Sequence, residues 1–170
     1  KNSEKEVEKT IDSFIQSGIF KKYKLNEKRM KKEIEILHKI NNESKSYNVI
    51  MKDKIDLLIE NGSDVIVVDY KTSYPVGTSI EDEYVKKHYE YQIQSYALAL
   101  NRGYNYDVSK GIIFYFNGSS WNEKIIPIDV DRIEKEILDN IKISIEEGGL
   151  ERRGSLEFCQ NFCEFRNLCK

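Results

Sequence analysis

The stretch Lys54-Ile-Asp-Leu-Leu-Ile-Glu60, the turn Asn61-Gly-Ser-Asp64 and the run Val65-Ile-Val-Val-Asp-Tyr-Lys71 decide the fold of this chain. Two short apolar runs separated by Asn-Gly are typical of a β-hairpin. Side chains alternate across a strand, so Asp69 and Lys71 share one face and lie roughly 7 Å apart at the backbone. Such charges need an explanation, because a buried charge is costly unless it is paired or bound to a metal.

Asp56 on the first strand, with Asp69 and Lys71 on the second, forms the candidate catalytic group. Two carboxylates at one end of a sheet can hold a divalent cation and a reacting water, and oxygen ligands suit Mg²⁺ or Mn²⁺. The Lys71 ammonium can stabilise charge that develops on a phosphate, or tune the attacking water. The alternative is a surface hairpin in which an Asp and a Lys form an ordinary ion pair.

Composition limits the class of protein. The chain has 170 residues, of which 39% are hydrophobic and 33% charged, and its formal net charge is −2. These values predict one globular domain, and no apolar run reaches the roughly 18 residues of a transmembrane helix. The first residues lack the apolar core of a signal peptide, so we expect a cytoplasmic protein without a membrane partner. The charge gives no global basic footprint, although a bound cation and local lysines can still attract DNA.

Hydrophobic periodicity divides the chain into helices and strands. The predicted helices cover residues 4–16, 26–40, 82–101 and 131–147, and the predicted strands cover 47–60, 65–71, 111–116 and 121–128. Asn26 is the expected N-cap of the second helix, with Met30, Ile34 and Leu37 on one face. This order of elements predicts an α/β sandwich around a mixed sheet.

Three groups of residues carry a resemblance to a known family. They are Ile55-Asp56, then Val68-Asp-Tyr-Lys-Thr72, and then Gln92 and Tyr96 in the spacing Gln-x-x-x-Tyr. The pattern resembles the PD-(D/E)xK nuclease superfamily. Within it, the pattern is most similar to the RecB-like branch, which comprises the nuclease domains of bacterial helicase-nucleases and the CRISPR-associated RecB-like exonucleases. The resemblance implies a restriction-endonuclease-like core, with a mixed central β-sheet flanked by helices.

The same resemblance implies roles for the hairpin residues. Asp56 and Asp69 would bind the metal together with the backbone carbonyl of Tyr70, and Lys71 would be catalytic. The chain departs from the family at Asp53, where members usually carry a glycine.

The long predicted helix adds further candidates. Gln92 and Tyr96 lie four residues apart and share a face, and the resemblance places them beside the active site, where they orient catalytic groups or touch DNA. Lys86 and Lys87 open the same helix among tyrosines, a pattern that can contact phosphates and stack on single-stranded bases. The alternatives are a core aromatic at Tyr96, a solvated Gln92 and a solvated helix end.

Family members also carry a histidine on an early helix that lines the metal site. The chain has two histidines, His38 and His88. Neither occupies a position like the family's, so we expect the family histidine to precede Lys1 and the chain to lack its N-terminal helix. His38 is then expected to be an ordinary helix-edge residue.

Three cysteines, Cys159, Cys163 and Cys169, cluster near the C-terminus. An odd, tight cluster favours soft-metal ligation over a disulfide framework. The segment resembles the C-terminal part of the iron–sulfur motif of several RecB-like nucleases, although the first spacing is one residue longer here. There, three such thiolates and one upstream cysteine hold a [4Fe–4S] cluster. A zinc site completed by a histidine and three unliganded thiols are the alternatives.

These observations predict a nuclease core over residues 1–154 and a cysteine tail, a candidate iron–sulfur segment, over 155–170. The resemblance implies a Mg²⁺- or Mn²⁺-dependent DNA nuclease, an exonuclease on single-stranded DNA or DNA ends in repair, recombination or CRISPR adaptation. The expected partners are DNA and a helicase domain, or recombination or CRISPR subunits. A second hypothesis is a catalytically inactive nuclease-fold module that binds DNA or has a structural role. A third, a restriction or junction-cleaving enzyme, is disfavoured by Gln-x-x-x-Tyr and the cysteine tail.

Overall fold

The computed structural model describes residues 2–24, 29–40, 49–61, 64–72 and 83–146. Within these ranges the chain forms four helices and five strands. In chain order they are α1 (Asn2–Gln16), α2 (Gly18–Lys22), β1 (Arg29–Ile40), β2 (Val49–Asn61), β3 (Asp64–Lys71), α3 (Glu83–Gly103), β4 (Val108–Phe116), β5 (Trp121–Ile126) and α4 (Val130–Glu146). None of the helices in this part of the chain combines the length and the apolarity needed to cross a lipid bilayer.

The five strands form one mixed sheet in the order β1-β2-β3-β4-β5. The neighbours β1–β2, β2–β3 and β4–β5 are antiparallel, whereas β3 and β4 are parallel. A parallel pair needs a crossover connection, and helix α3 lies within the one that joins β3 to β4. The arrangement confirms the predicted restriction-endonuclease-like α/β fold.

Helices cover both faces of the sheet. On one face, Ile93 and Ala97 of α3 pack against Val67 and Ile113 of the central strands. Helix α4 packs in turn on α3. On the other face, Phe14 and the short helix α2 pack against the sheet through a second apolar cluster. The sheet interior is therefore buried on both sides, which explains why the central strands are almost continuously apolar.

Helix α3 approaches the sheet closely at Gly111. A Cβ atom at this position would lie 2.0 Å from Cγ2 of Ile93. Any larger residue at position 111 would collide with Ile93, so the observed packing distance between α3 and β4 requires a glycine. Gln92, one of the candidate site residues, directly precedes Ile93 on the same helix.

The second predicted helix, residues 26–40, is wrong, because this segment is strand β1. Ile36 and Ile40 are each only 1% exposed, whereas Leu37 is 62% exposed. The burial follows the two-residue period of a strand, while three apolar residues happen to fall at helical spacing as well. Pairing along β2 decides between the two patterns, since it satisfies the backbone of the segment.

His38 is consequently not a helix-edge residue. It is a buried residue of β1 that lies against Gly103, where an added Cβ would stand 2.8 Å from its Nδ1. Burial lowers the pKa of its imidazole, with Glu134 raising it and Arg102 lowering it to smaller extents. The other predicted elements exist with shifted ends, whereas the turn at Gly62-Ser63 and the tail over 155–170 lie outside the described residues.

Candidate active site

The candidate site lies where strands β2 and β3 separate. Their pairing runs from Asn61 and Asp64 to Leu57 and Val68. Asp56 follows directly after this last pair, and its Oδ2 accepts a hydrogen bond of 2.9 Å from the backbone N–H of Tyr70. The Asp56 carboxylate thus replaces the backbone carbonyl that would accept this hydrogen bond in a regular β-ladder, and the Tyr70 N–H stays satisfied. We call the gap between β2 and β3 at Asp56 and Tyr70 the notch.

Asp69 and Lys71 lie on the same face of β3, as predicted. The Nζ of Lys71 lies 2.7 Å from Oδ2 of Asp69. The contact is an ion pair, and the buried Oδ2 has no further hydrogen-bond partner among the described residues. Asp69 is 3% exposed, and burial raises its pKa to about 6 against the opposing effect of Lys71. The site therefore holds a buried carboxylate oxygen with unused acceptor capacity.

Two residues of α3 contact the Lys71 ammonium, and a third supports one of them. The Nζ of Lys71 donates to Oε1 of Gln92 at 3.2 Å and lies 4.6 Å from the ring centroid of Tyr89. The Nε2 of Gln92 donates to the hydroxyl of Tyr96 at 2.8 Å. Gln92 thus uses its carbonyl to hold the lysine and its amide to hold the tyrosine. The structure brings these predicted residues together in one hydrogen-bonded chain.

The sequence shows tyrosines around the lysines that open α3, but this pattern did not single out Tyr89. Tyr89, Gln92 and Tyr96 follow one another at helical spacings of three and four, which is the signal that could have found the first of them. Tyr96 is buried, so it is a core aromatic as well as a partner of Gln92. Burial raises the pKa of its phenol, with Asp53 and Asp69 contributing. Its hydroxyl therefore stays protonated at neutral pH.

Asp56 opens towards the other side of the sheet. It lines a cleft of about 770 Å³ between α1 and the sheet, together with Tyr70, Thr72 and Phe14. Burial, and to a smaller extent the charge of Asp56, raises the pKa of Tyr70 to about 12. Asp56 is half-buried, and it also raises the pKa of Asp69. The two carboxylates are thus coupled electrostatically although their surroundings differ.

The donor atoms fit a hard divalent cation that shares its coordination with water and substrate. Two carboxylates lie beside the notch, near enough for the charge of Asp56 to raise the pKa of Asp69. One of them, Asp69, has a buried oxygen with no hydrogen bond to the described residues. Among the described residues, no three His, Cys, Asp or Glu side chains form a complete protein site. Mg²⁺ usually takes only one or two carboxylates and keeps several waters, so a two-carboxylate notch suits it.

The predicted lysines at the start of α3 lie apart from this network. Lys86 and Lys87 are exposed, and the Nζ of Lys87 pairs with Glu83 at 2.9 Å, one helical turn away. His88, although exposed, is closer to the site: partial desolvation, and then the nearby charge of Lys71, lower the pKa of its imidazole. The three candidate cluster ligands, Cys159, Cys163 and Cys169, lie outside the described residues.

The sequence profile of the PD-(D/E)XK nuclease superfamily matches residues 5–170 of the chain. The chain therefore belongs to this superfamily. No curated protein sequence matches it significantly.

Two solved structures have a similar fold. One is SSO0001, with a TM-score of 0.52 and 22% identity, in a match that covers 94% of this chain and 65% of that one. The other is a "putative exonuclease" from Eubacterium rectale, with a TM-score of 0.56 and 14% identity, covering 95% of this chain and 61% of that one. The chain thus spans less than two thirds of the length of both. At these identities the likeness concerns the fold.

Proposed function

We propose that this chain is the catalytic core of a RecB-like, Mg²⁺- or Mn²⁺-dependent deoxyribonuclease that works as an exonuclease on single-stranded DNA or DNA ends. The observation that carries the proposal is the continuous contact from Asp69 through Lys71 and Gln92 to Tyr96. It joins the two sequence motifs of the RecB-like resemblance into one unit. An ordinary surface ion pair would not need a half-buried glutamine and a buried tyrosine behind the lysine.

Each residue of this unit has a chemical role in phosphodiester hydrolysis. Asp56 and Asp69 would hold the cation, which when bound activates water and neutralises charge on the phosphate. Lys71 lies beside Asp69 and can donate to a phosphate oxygen as negative charge develops there. Gln92 and the ring of Tyr89 restrict where the ammonium can point, so that its position is set before the substrate arrives.

A groove beside the site supports a single-stranded substrate. It has a volume of about 480 Å³, begins at Gln92, and continues along His88, Tyr91 and Ser95 towards α4. Aromatic side chains beside a catalytic edge can stack on unpaired bases, which a duplex does not expose. Since the formal net charge of the chain is −2, attraction for DNA would come from the cation and local lysines.

The pathway and the partners rest on the sequence pattern. Gln-x-x-x-Tyr and the three C-terminal cysteines support a RecB-like nuclease of repair, recombination or CRISPR adaptation, joined to a helicase domain or to other subunits. In that setting Cys159, Cys163 and Cys169 would bind a [4Fe–4S] cluster with a fourth thiolate. Iron and sulfide content of the anaerobically purified protein, compared with a Cys163→Ala variant, tests the cluster independently of DNA cleavage.

The decisive experiment follows degradation of end-labelled DNA by the purified protein with Mg²⁺, Mn²⁺ or EDTA. We expect metal-dependent loss of linear single strands, with circular single strands intact, and cleavage lowered by about two orders of magnitude or more in the Asp69→Ala and Lys71→Ala variants. Cleavage that persists in both variants would overturn the assignment. Binding of single-stranded DNA without turnover in either metal would instead favour the alternative, a catalytically inactive DNA-binding module.

A further inference from the structure

In strands β1 and β2, the alternation of side chains between the two faces of the sheet is interrupted at one residue pair, which we call the irregular rung. In β2, Ile55 packs on the α3 side of the sheet, but Leu57 packs on the α1 side. Residues two apart on a regular strand point to the same face, so the alternation is broken between them. The register places Glu33 opposite Asp56, and this rung alone is unpaired between the flanking pairs of Leu57 and Ile55.

The same break occurs in β1. Ile34 packs on the α3 side, whereas Lys32, two residues earlier, lines the cleft on the α1 side. Glu33 between them has a φ of 55°, in the left-handed region that side chains other than glycine rarely adopt. Burial of its own side chain does not explain this conformation, because Glu33 is exposed and its carboxylate pairs with Lys54 at the surface.

The break has a direct consequence for Asp56. Leu58 packs on the α3 side, so regular alternation would place Asp56 on that side too. Asp56 instead lines the cleft on the α1 side and accepts the hydrogen bond from the Tyr70 amide. Strained backbone of this kind persists only where surrounding structure holds it, and it concentrates at functional sites.

We infer that Glu33 is a positioning residue for the metal-binding carboxylate of β2. The left-handed backbone of Glu33 interrupts the regular pairing of β1 with β2. The side chain of Asp56 can therefore point towards the notch, where it accepts the hydrogen bond from the Tyr70 amide. The inference rests on the proposed function only in taking Asp56 as a metal ligand. The link between the backbone of Glu33 and the Asp56–Tyr70 hydrogen bond does not depend on it.

Two substitutions separate the backbone of Glu33 from its charge. Glu33→Asn and Glu33→Val both remove the carboxylate that pairs with Lys54, but Asn tolerates the left-handed conformation and the β-branched Val does not. We measure Mn²⁺ affinity by calorimetry and hydrogen exchange of the Tyr70 amide by NMR. We expect Asn to stay within about twofold of the wild type in both, and Val to weaken Mn²⁺ binding and speed amide exchange by about tenfold each.

The control is Glu35→Val, an exposed position on the same strand whose backbone φ is not left-handed. It should leave Mn²⁺ affinity and Tyr70 exchange unchanged. Glu33→Gly is the second variant, since glycine adopts the required conformation without cost, and it should match or exceed the wild type. Wild-type behaviour of Glu33→Val in amide exchange would overturn the inference, as would a Glu33→Gly variant impaired like Glu33→Val. If the wild type binds no Mn²⁺, the proposed function fails, while Tyr70 exchange still decides the role of Glu33.

Discussion

The surroundings of the candidate catalytic residues differ between the two faces of the sheet. On the α3 side, the Lys71 ammonium is enclosed by Asp69, Gln92 and Tyr89. On the α1 side, Asp56 has one backbone hydrogen bond and faces a cleft of about 770 Å³. We call the α3 side, which encloses the Lys71 ammonium, the closed face, and the α1 side, where Asp56 faces the cleft, the open face. Enclosure suits the accurate positioning that we propose for Lys71, and the cleft leaves room for the waters of a cation.

The helices explain this difference. Helix α3 sits tightly on the sheet because Gly111 admits it. Helix α1 is held at its C-terminal end, where Phe14 lies 4.9 Å from the ring of Trp121, whose indole donates to Ser13. Towards its N-terminal end, Val7 is 58% exposed and lines the cleft. Helix α3 therefore packs closely on the closed face, whereas α1 packs on the open face through its C-terminal end.

The largest expected effect concerns the closed face. Replacing Lys71 by Met should lower the DNA cleavage rate by about two to three orders of magnitude, because it removes the ammonium that we propose to stabilise the developing charge. Initial rates at saturating Mn²⁺ measure it. Lys110→Met is the matched control, since Lys110 lies on β4 near the Tyr23 ring and should cleave like the wild type. A Lys71→Met rate within tenfold of wild type would contradict the comparison.

The two carboxylates should respond to substitution with opposite changes in stability. The folded-state pKa of Asp69 is raised from 3.8 to about 6. The favourable contribution of its protonated form is therefore complete below pH 3.8 and lost as pH rises towards 6, at a cost of roughly 3 kcal/mol at neutral pH. Asp69→Asn should recover roughly 2 kcal/mol of unfolding free energy at pH 7 while abolishing cleavage. Urea unfolding in EDTA measures the change, and its disappearance near pH 4 is the internal control.

Asp56→Ala should do the reverse, since it leaves the Tyr70 N–H without its acceptor. Removing one partner of a buried hydrogen bond costs about 1–3 kcal/mol. The same urea titration should show lower unfolding free energy together with lost cleavage. If both variants are destabilised alike, the contrast between a buried, unsatisfied carboxylate and a hydrogen-bonded one is wrong.

Tight packing of α3 can be tested at Gly111. Gly111→Ala places a methyl group against Ile93 and should lower the free energy of unfolding by about 1–3 kcal/mol. Gly18→Ala is the control, because an added Cβ there meets nothing within 4 Å, and it should be close to neutral. Thermal unfolding of both variants checks this, and equal melting temperatures would mean that α3 shifts without cost.

The smallest expected effect concerns orientation of the lysine. Gln92→Leu should reduce kcat for DNA cleavage by about tenfold with little change in KM, since it removes the acceptor that holds the Lys71 ammonium. Gln94→Leu is the matched control, because Gln94 is buried nearby but accepts from the backbone N–H of Asp129 instead. It should lower stability and leave kcat unchanged. Equal loss of kcat in both variants would reduce Gln92 to a packing residue.

Local periodicity in the sequence was sufficient to predict most of the residues of the closed face. Asp69 and Lys71 share a face because side chains alternate along a strand, and Gln92 and Tyr96 share one because helical residues four apart are neighbours. Their mutual contact is close to what these two rules imply, once α3 is known to cross over β3. The segment 26–40 shows the limit, since its apolar residues satisfied a helical period and a strand period at once.

The sequence by itself thus determined the hairpin, the shared face of Asp69 and Lys71, the α3 pair and the α/β class, because each follows from a short repeating pattern. Only the tertiary structure decided that β1 is a strand, that Tyr89 lies under the lysine, and that Asp56 departs from the regular alternation of β2 and lines the cleft beside α1. Those outcomes depend on long-range pairing and on one left-handed residue, Glu33. A single irregular rung reverses the face of every residue beyond it, and no local pattern records such a reversal.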